Sequence, residues 1–469
     1  MAEISDSLDQ MRTCARKCAD IILKSSEVKV VSHIDADGIT SAAIICKALE
    51  RAGIEKSVDF VKQLDENTIL KLADQNPECV IFTDLGSGML EPIVTSGLNV
   101  VISDHHRPQG DTEKLTNHHL NPHLFGANGS TDISGSGTTY LLANELGDNH
   151  DLAGLAIVGA IGDMQNRRNG HLISLNREIL KEGVSKGVLS FEKDIMLFGK
   201  QTRPVFKLLQ FASDPYLPGL TGDEDACIEF LHRIGLRFGD DARWRRWIDL
   251  EQNEKQRIVS ALLQHGLSSG QGSSKLERLI GEVYTLLNEK EGTEMRDATE
   301  YSTLLNATGR YDNAEIGMAV CMGDRREAYE KASKLLTEHR SNLVNGLSFV
   351  RENGITKLNN LQYFDAGPNI KETIIGIVAG MSTSVVADRD YPIIAFADAE
   401  GGVKVSARGT QDLVRKGLNL SEALAIVSAE VGGAGGGHDI AAGATIPQKS
   451  KDEFIRKLDL TIGKQISKQ

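Results

Sequence analysis

The chain has 469 residues, too many for one ordinary domain, and its 40% hydrophobic and 25% charged content is that of a globular protein. A net charge of −13 excludes a general polycation that grips long duplex nucleic acid by its phosphates, so any such contact has to be local or metal-mediated. No apolar run reaches membrane-spanning length, and the polar, acidic start MAEISDSLDQ has no signal-peptide pattern, so no membrane association and a cytoplasmic location are expected.

Apolar positions at helical spacing over 1–27 (Leu8, Met11, Ala15, Ile21, Ile22) predict an N-terminal helix. The stretch VKVVSHIDADGIT follows. Val28, Val30 and Val31 predict a buried strand, and His33, Asp35 and Asp37 come at every second position before an apolar-periodic helix from Ile39 to Ala52. Alone, this pattern reads equally as a polar turn whose Asp residues cap the helix or as metal ligands at a strand end. Short strands at 57–61, 79–83 and 98–103 alternate with helices at 67–74 and 90–96, the pattern of a parallel sheet with helices on both faces. The buried strands end in Asp35/Asp37, in Asp84, and in Asp104 with His105 and His106, and Asp163 follows an apolar helix. Parallel strands end on one side of a sheet, so these groups can converge. Crowded carboxylates repel unless cations intervene, and mixed His/Asp ligation suits Mn²⁺ better than Ca²⁺, with Mg²⁺ the second choice.

A loop-rich stretch at 105–137 holds His118, His119 and His123, read as solvent-facing loop residues. Helices are predicted at 138–146 and 152–161. From 171 to 300 strand patterns fade, and amphipathic stretches (226–234, 244–264, 275–289) predict a helical middle region with a Gly/Ser loop at 266–274. Trp244 and Trp247 in RWRRW fit either base stacking or helical core packing. Strand signals return from Ala314, where EIGMAVCM and TIIGIVAGM are apolar runs and PIIAFADAE and KVSAR are strand-like, and the last third reads as a second α/β domain. VGGAGGGHDI has two readings: a tight turn, or bare backbone that lets N–H groups reach a phosphate. The six scattered cysteines form no C-x-x-C and predict reduced, packed thiols.

SHIDADG, FTDLGSG, SDHH and GAIGD, in this order, resemble the four motifs of the DHH phosphoesterase superfamily, and GGAGGGH resembles the Gly-rich motif of the DHH-associated domain. LLNATGRY at 304–311, DPYLPGLTGDE at 214–224 and the helical insert make archaeal RecJ-like nucleases the nearest likeness. The resemblance implies two α/β lobes, a parallel-sheet DHH domain (1–195) and a smaller DHH-associated domain (301–469), joined through a helical middle region (196–300) with a cleft between the lobes. It implies two divalent metals, Mn²⁺ preferred: His33 and Asp35 hold one, Asp37, His105 and Asp163 the other, and Asp84 bridges both. Asp104 orients the His pair, and His106 faces the scissile phosphate. Ser406, Arg408, Gly435, Gly436, Gly437 and His438 form a substrate clamp, with Asn306 and Arg310 as further candidates. The first ligand is His where bacterial RecJ proteins tend to have Asp.

The implied activity is hydrolysis of single-stranded DNA or RNA from an end. Two alternatives stand beside it: an oligoribonuclease or cyclic-dinucleotide phosphodiesterase, and a mainly structural replication factor. The last follows from the superfamily's degenerate eukaryotic member, which works at the replication fork with the GINS complex.

Overall fold

The computed structural model describes residues 2–466 except 116, 213–214 and 237–243, so the first residue of DPYLPGLTGDE, Asp214, lies outside the described residues. The chain divides into two compact units, residues 1–336 and 337–469.

The first unit opens with helix α1 (Ala2–Ile22) and then alternates β1 (Glu27–His33), α2 (Ala36–Arg51), β2 (Glu55–Val61), α3 (Glu66–Gln75), β3 (Val80–Thr83), α4 (Leu90–Thr95), β4 (Val100–Ser103) and β5 (His119–Leu120). All five strands run parallel, in the order β2-β1-β3-β4-β5. The strands carry apolar residues on both faces, as a sheet covered on both sides requires. Val30, Ile81 and Val101 pack into one core with α1, α2, α5 (Gly135–Leu146) and α6 (Ala153–Gly162), while Val31, Phe82 and Ile102 pack into the other with α3 and α4. The chain leaves β1 for β2 on one side and returns to β3 on the other. The carboxyl ends of β1 and β3 therefore flank the point where the strand order reverses, and the loops there diverge to leave a crevice.

After α7 (Ser174–Ser185), β6 (Leu189–Ile195) pairs antiparallel with β7 (Ile280–Leu286), from Leu189↔Leu286 to Ile195↔Ile280. This ribbon is the neck of the middle region. Between its strands lie α8 (Val205–Gln210), α9 (Glu224–Arg233), α10 (Gln252–Ser268) and the short α11 (Ser273–Leu276); the first three share a core of their own with Ile195, Leu231, Trp247 and Leu262. The expected helix at 275–289 is a short turn followed by β7. Its burial alternates along IGEVYTL with a period near two, and β6 supplies the partner that local sequence does not reveal. The helix expected at 244–264 begins only at Gln252; Trp247 is a buried core residue, and Trp244 is half-exposed, edge-on to Phe206.

EIGMAVCM forms helix α13 (Ala314–Met322), not a strand. It packs with α12 (Ala298–Arg310) in the first core, so residues 301–336 belong with the first unit. The division falls within α14 (Glu327–Asn353).

The second unit is a mixed six-stranded sheet. It comprises β8 (Thr356–Lys357), β9 (Gln362–Asp365), β10 (Ile393–Ala399), β11 (Gly402–Arg408), β12 (Ala434–Gly437) and β13 (Ala441–Ile446), in the order β12-β13-β11-β10-β9-β8. TIIGIVAGM becomes helix α15 (Ile375–Val385), which packs on one face; α16 (Leu420–Glu430) and α17 (Lys451–Ile466) pack on the other. A short apolar helix cannot by periodicity alone be told from a buried strand; EIGMAVCM is rich in Gly, Ala and Met, whereas TIIGIVAGM is mostly β-branched and folds as a helix against its local preference, under the packing of the sheet. The six cysteines are free and buried. Among the described residues, no helix is long and apolar enough to cross a membrane.

Candidate metal centre

Three strand ends and two helix ends build the site. His33 is the last residue of β1. Asp35 caps α2, its Oδ1 accepting from Gly38 N at 3.0 Å, while its Oδ2 lies 3.0 Å from His33 Nδ1. Asp37, one residue into α2, receives the first turn of α5: Gly135 N donates to its Oδ2 at 2.6 Å and Ser136 N to its Oδ1 at 2.9 Å. A helix N-terminus with free N–H groups suits a carboxylate that would otherwise be buried without donors. Asp84 follows β3 with a left-handed backbone (φ 59°), a conformation that costs a non-glycine residue about 1 kcal/mol. Its carboxylate faces both histidines, Oδ2 lying 3.7 Å from His33 Nδ1 and Oδ1 3.2 Å from His105 Nε2. Asp163, at the end of α6, lies 3.3 Å from His105 Nε2, and Asp37 lies 3.8 Å from it.

The predicted ligands therefore converge in two groups, His33/Asp35/Asp84 and Asp37/His105/Asp163. In each group one ligand atom per residue lies within 4.8 Å of the others. The carboxylates crowd one another. At an effective dielectric of about 20, like charges about 4 Å apart repel by about 4 kcal/mol. Burial, then the Asp84 charge, pushes Asp37 up to about 6; burial, then the Asp37 charge, pushes Asp163 well above the carboxylate range. Burial opposes the charged form of Asp35 too, but His33 and the Gly38 N–H hold it below the usual range. Burial likewise disfavours charge on His33 and His105, yet Asp35 and Asp163, with Asp84, raise them well above the usual imidazole range.

Two buried atoms, Asp84 Oδ1 and His105 Nε2, have no hydrogen-bond partner although they face each other. His105 Nδ1 lies 2.6 Å from Gly129 O, so that nitrogen carries a proton donated to the carbonyl, and Nε2, facing the acids, is the nitrogen that would give up its proton to a cation. Orphaned donor atoms, a fixed tautomer and an excess of acid fit a pair of divalent cations.

Asp104 is fully buried. Its Oδ1 accepts from His105 N (2.7 Å), His106 N (3.1 Å) and His106 Nδ1 (2.8 Å), and its Oδ2 from Ser87 N (2.9 Å). Burial opposes its ionisation, but the His106 hydrogen bond and charge keep it below the carboxylate range; burial opposes charge on His106 as well, and Asp104 raises that ring to about 9. The His106 ring is 58% exposed.

Asn306 and Arg310 stand on α12. Asn306 Oδ1 accepts from Ala36 N at 3.0 Å and so fixes the start of α2 beside Asp35. Arg310 is half-buried; burial lowers its pKa, and the Asp35 charge opposes this. Of the three loop histidines, His119 departs from expectation. It sits in β5, fully buried, with its Nε2 2.8 Å from Ser87 Oγ, and burial lowers its pKa to about 4. Pairing with Ile102 of β4 makes this two-residue strand, which no local pattern marks.

In the second unit Ser406 and Arg408 alternate on one face of β11, against α15. A side chain at Gly376 would meet Arg408 Nη2 at 2.5 Å and Ser406 Oγ at 3.2 Å. Burial alone lowers the pKa of Arg408; among the described residues no carboxylate pairs with it, and its Nη1 donates to Ala407 O. The Gly-rich stretch begins in a turn at Gly432 and then runs on as a strand. Gly435, Gly436 and Gly437 form the edge strand β12, paired on one side only with β13, and His438 is exposed where the two strands join. A Cβ at Gly435 would strike Ala444 Cβ at 2.8 Å, whereas at Gly436 nothing lies within 4 Å. Sequence reasoning missed Gly376, Ser87, His119 and Asn121, whose roles depend on partners distant in the chain.

Comparison with known proteins agrees with this architecture. Residues 27–160 match the DHH family N-terminal domain, 197–280 the DHH-CID domain and 358–464 the DHHA1 domain. The uncharacterized protein MJ0831 of Methanocaldococcus jannaschii is 35% identical over 445 residues, covering 94% of each chain. The single-stranded-DNA-specific exonuclease RecJ of Thermus thermophilus is 26% identical over 197 residues, which cover 38% of this chain and 28% of that protein. The crystal structure of the Thermus RecJ in complex with Mn²⁺ superposes with a TM-score of 0.59 at 16% identity, over 97% of this chain and 55% of that one. CDC45 from Entamoeba histolytica superposes with a TM-score of 0.64 at 12% identity, over 98% of this chain and 99% of that one. The chain belongs to the DHH phosphoesterase family, as a RecJ-like member with DHH, DHH-CID and DHHA1 domains.

Proposed function

We propose that the protein is a two-metal phosphodiesterase, with Mn²⁺ preferred over Mg²⁺, that trims single-stranded DNA or RNA from an end. The observation that carries this reading is the pair of ligand groups that meet at Asp84, with Asp84 Oδ1 and His105 Nε2 buried and unpartnered between them. His33 and Asp35 would hold one cation and Asp37, His105 and Asp163 the other, with Asp84 within reach of both groups. When bound, the cations supply Lewis acidity that makes a water nucleophilic and offsets charge developing at phosphorus. The chain's own groups do the rest. Gly129 O fixes the His105 tautomer, and the first turn of α5 holds Asp37. Asp104 accepts a hydrogen bond from the His106 Nδ1–H, which leaves Nε2 to face a phosphate oxygen or the leaving group.

In the second unit Arg408 and Ser406 grip a phosphate, the half-buried backbone of Gly436, bare of a side chain, lets another approach, and the exposed His438 lies close by in sequence. Arg408 suits this role because a buried guanidinium without a carboxylate seeks an anion. Incubation of end-labelled single-stranded DNA and RNA with the protein and Mn²⁺ tests the reading. A ladder of single-nucleotide products is expected. Release of nothing, or turnover of dinucleotides and cyclic dinucleotides only, refutes it.

A replication-complex role is the second reading, favoured by correspondence with the fold of CDC45 over nearly the whole of both chains. The intact ligand set argues that hydrolysis is retained even so. Co-purification with the GINS complex from cell extract, compared with the activity of the isolated protein, separates the two.

A further inference from the structure

Resting on the hydrolase reading, we infer that Ser87, His119 and Asn121 are positioning residues for His106: a buried polar chain that fixes the His106 ring through Asp104 and through the His106 main-chain carbonyl. All three side chains are fully buried. Asn121 Nδ2 donates to Ser87 Oγ at 2.9 Å and to His106 O at 2.8 Å. Ser87 Oγ lies 2.8 Å from His119 Nε2, and Ser87 N donates to Asp104 Oδ2 at 2.9 Å. Asp104 in turn accepts both the main-chain N–H and the ring Nδ1–H of His106.

The arrangement holds His106 at three points, its N–H, its carbonyl and its ring. Yet 58% of the side chain is open to solvent and His105, edge-on at 4.4 Å between centroids, covers one side of the ring, so hydrogen bonds carry most of its restraint. An exposed imidazole normally samples several rotamers. Here each restraint traces back to the same buried chain, which spans the turn after β3, strand β5 and the turn that follows it. Burying three polar side chains is costly, the more so because His119 Nδ1 has no hydrogen-bond partner among the described residues, and an apolar trio would fill the space at less risk. The polar choice gains orientation. Asn121 also has a second role, since its Oδ1 accepts from His123 N at 3.0 Å and starts the next turn. Asn121→Asp separates the two roles, because it keeps that acceptor and removes the amide donor. Ser87→Ala removes the junction of the chain without adding charge.

The experiment measures kcat and KM on a labelled oligonucleotide with Mn²⁺, Mn²⁺ affinity by electron paramagnetic resonance titration, and crystal structures of both variants. Loss of such outer partners typically costs about 10- to 100-fold in activity, so kcat of Asn121→Asp should fall by about tenfold or more. KM and Mn²⁺ affinity should stay within about twofold, and Ser87→Ala should show a smaller fall of the same kind. The double variant His106→Ala/Asn121→Asp should be no slower than His106→Ala alone, because both changes remove one function. Should Asn121→Asp fail to fold, the Ser87→Ala series with its own His106→Ala double variant decides.

Wild-type kcat in the variants, losses that multiply in the double variant, or a parallel loss of Mn²⁺ affinity would each overturn the inference. A wild-type protein inactive on every phosphodiester would instead defeat the hydrolase reading. The crystal structures then decide this one alone, a displaced His106 ring supporting it and an unmoved ring overturning it.

Discussion

Asp84 is the residue on which the site turns. It lies fully buried, accepts a left-handed backbone, and directs one oxygen to each ligand group. Asp84→Ala removes the shared ligand and one of the crowded charges together. Hydrolysis should fall to background, while the melting temperature without metal stays equal to or rises above that of the wild type, because repulsion is relieved. Calorimetry with and without Mn²⁺ beside the nuclease assay checks both halves, and added Mn²⁺ should stabilise only the wild type. The converging side chains were legible because each ends a strand or helix that its own neighbours announce: valines before His33, CVIFT before Asp84, LAIVGAI before Asp163. His119 was not, since only its pairing with Ile102 turns a loop residue into a buried strand residue. Nor was Ser87, whose value lies in Asp104 and Asn121 reached through the fold.

At the scale of elements, helix α12 ties the middle region to the first core. Lys200 and Asp297 form a buried ion pair at 3.0 Å, and Glu300 accepts from Gln201 N at 2.7 Å and Thr202 Oγ1 at 2.5 Å. Burial, then the Asp297 charge, raises Glu300 to about 7. The folded protein thus keeps a proton there that the unfolded chain releases near pH 4.5, the group's ordinary value. Stability contributed by Glu300 is complete below that value and declines as pH rises through about 7. Urea unfolding between about pH 5 and pH 8 should show the decline, and Glu300→Gln should flatten it.

Helix α15 offers a second test. Its apolar run hides Gly376, whose bare face gives Arg408 its room. Gly376→Ala should displace the guanidinium and raise KM for nucleic acid severalfold, with Mn²⁺ affinity unchanged. Gly436→Ala has space for its methyl, so the fold should survive while phosphate approach weakens. The edge strand was hard to foresee because glycine is poor in strands, and here the neighbour Ala444, not propensity, demands it.

Over the whole molecule, the order of α/β elements and the existence of a helical middle region followed from periodicity, whereas the junctions did not. Strand β7 and helices α12 and α13 take their places from partners far along the chain. The β6–β7 ribbon makes the middle region excisable, since Ile195 faces Ile280 directly and a two-residue Asn-Gly turn matches that register. Asp297→Asn and Glu300→Gln should accompany the deletion of 196–279, which removes the partners of both acids. The shortened protein should bind Mn²⁺ with wild-type affinity and cleave dinucleotides, but lose any preference for long strands. Retention of that preference would place recognition of chain length elsewhere.

Helix α6 passes so close to the acids of α2 that a Cβ at Gly159 would sit 2.3 Å from Asp37 Oδ1 and 2.1 Å from Ser136 Oγ. A single added methyl there evicts a carboxylate without altering any charge. The centre can therefore be silenced from a position with no chemistry of its own. Gly159→Ala would keep every proposed ligand in the sequence and yet should lose cation binding, an outcome a Mn²⁺ titration of the variant checks.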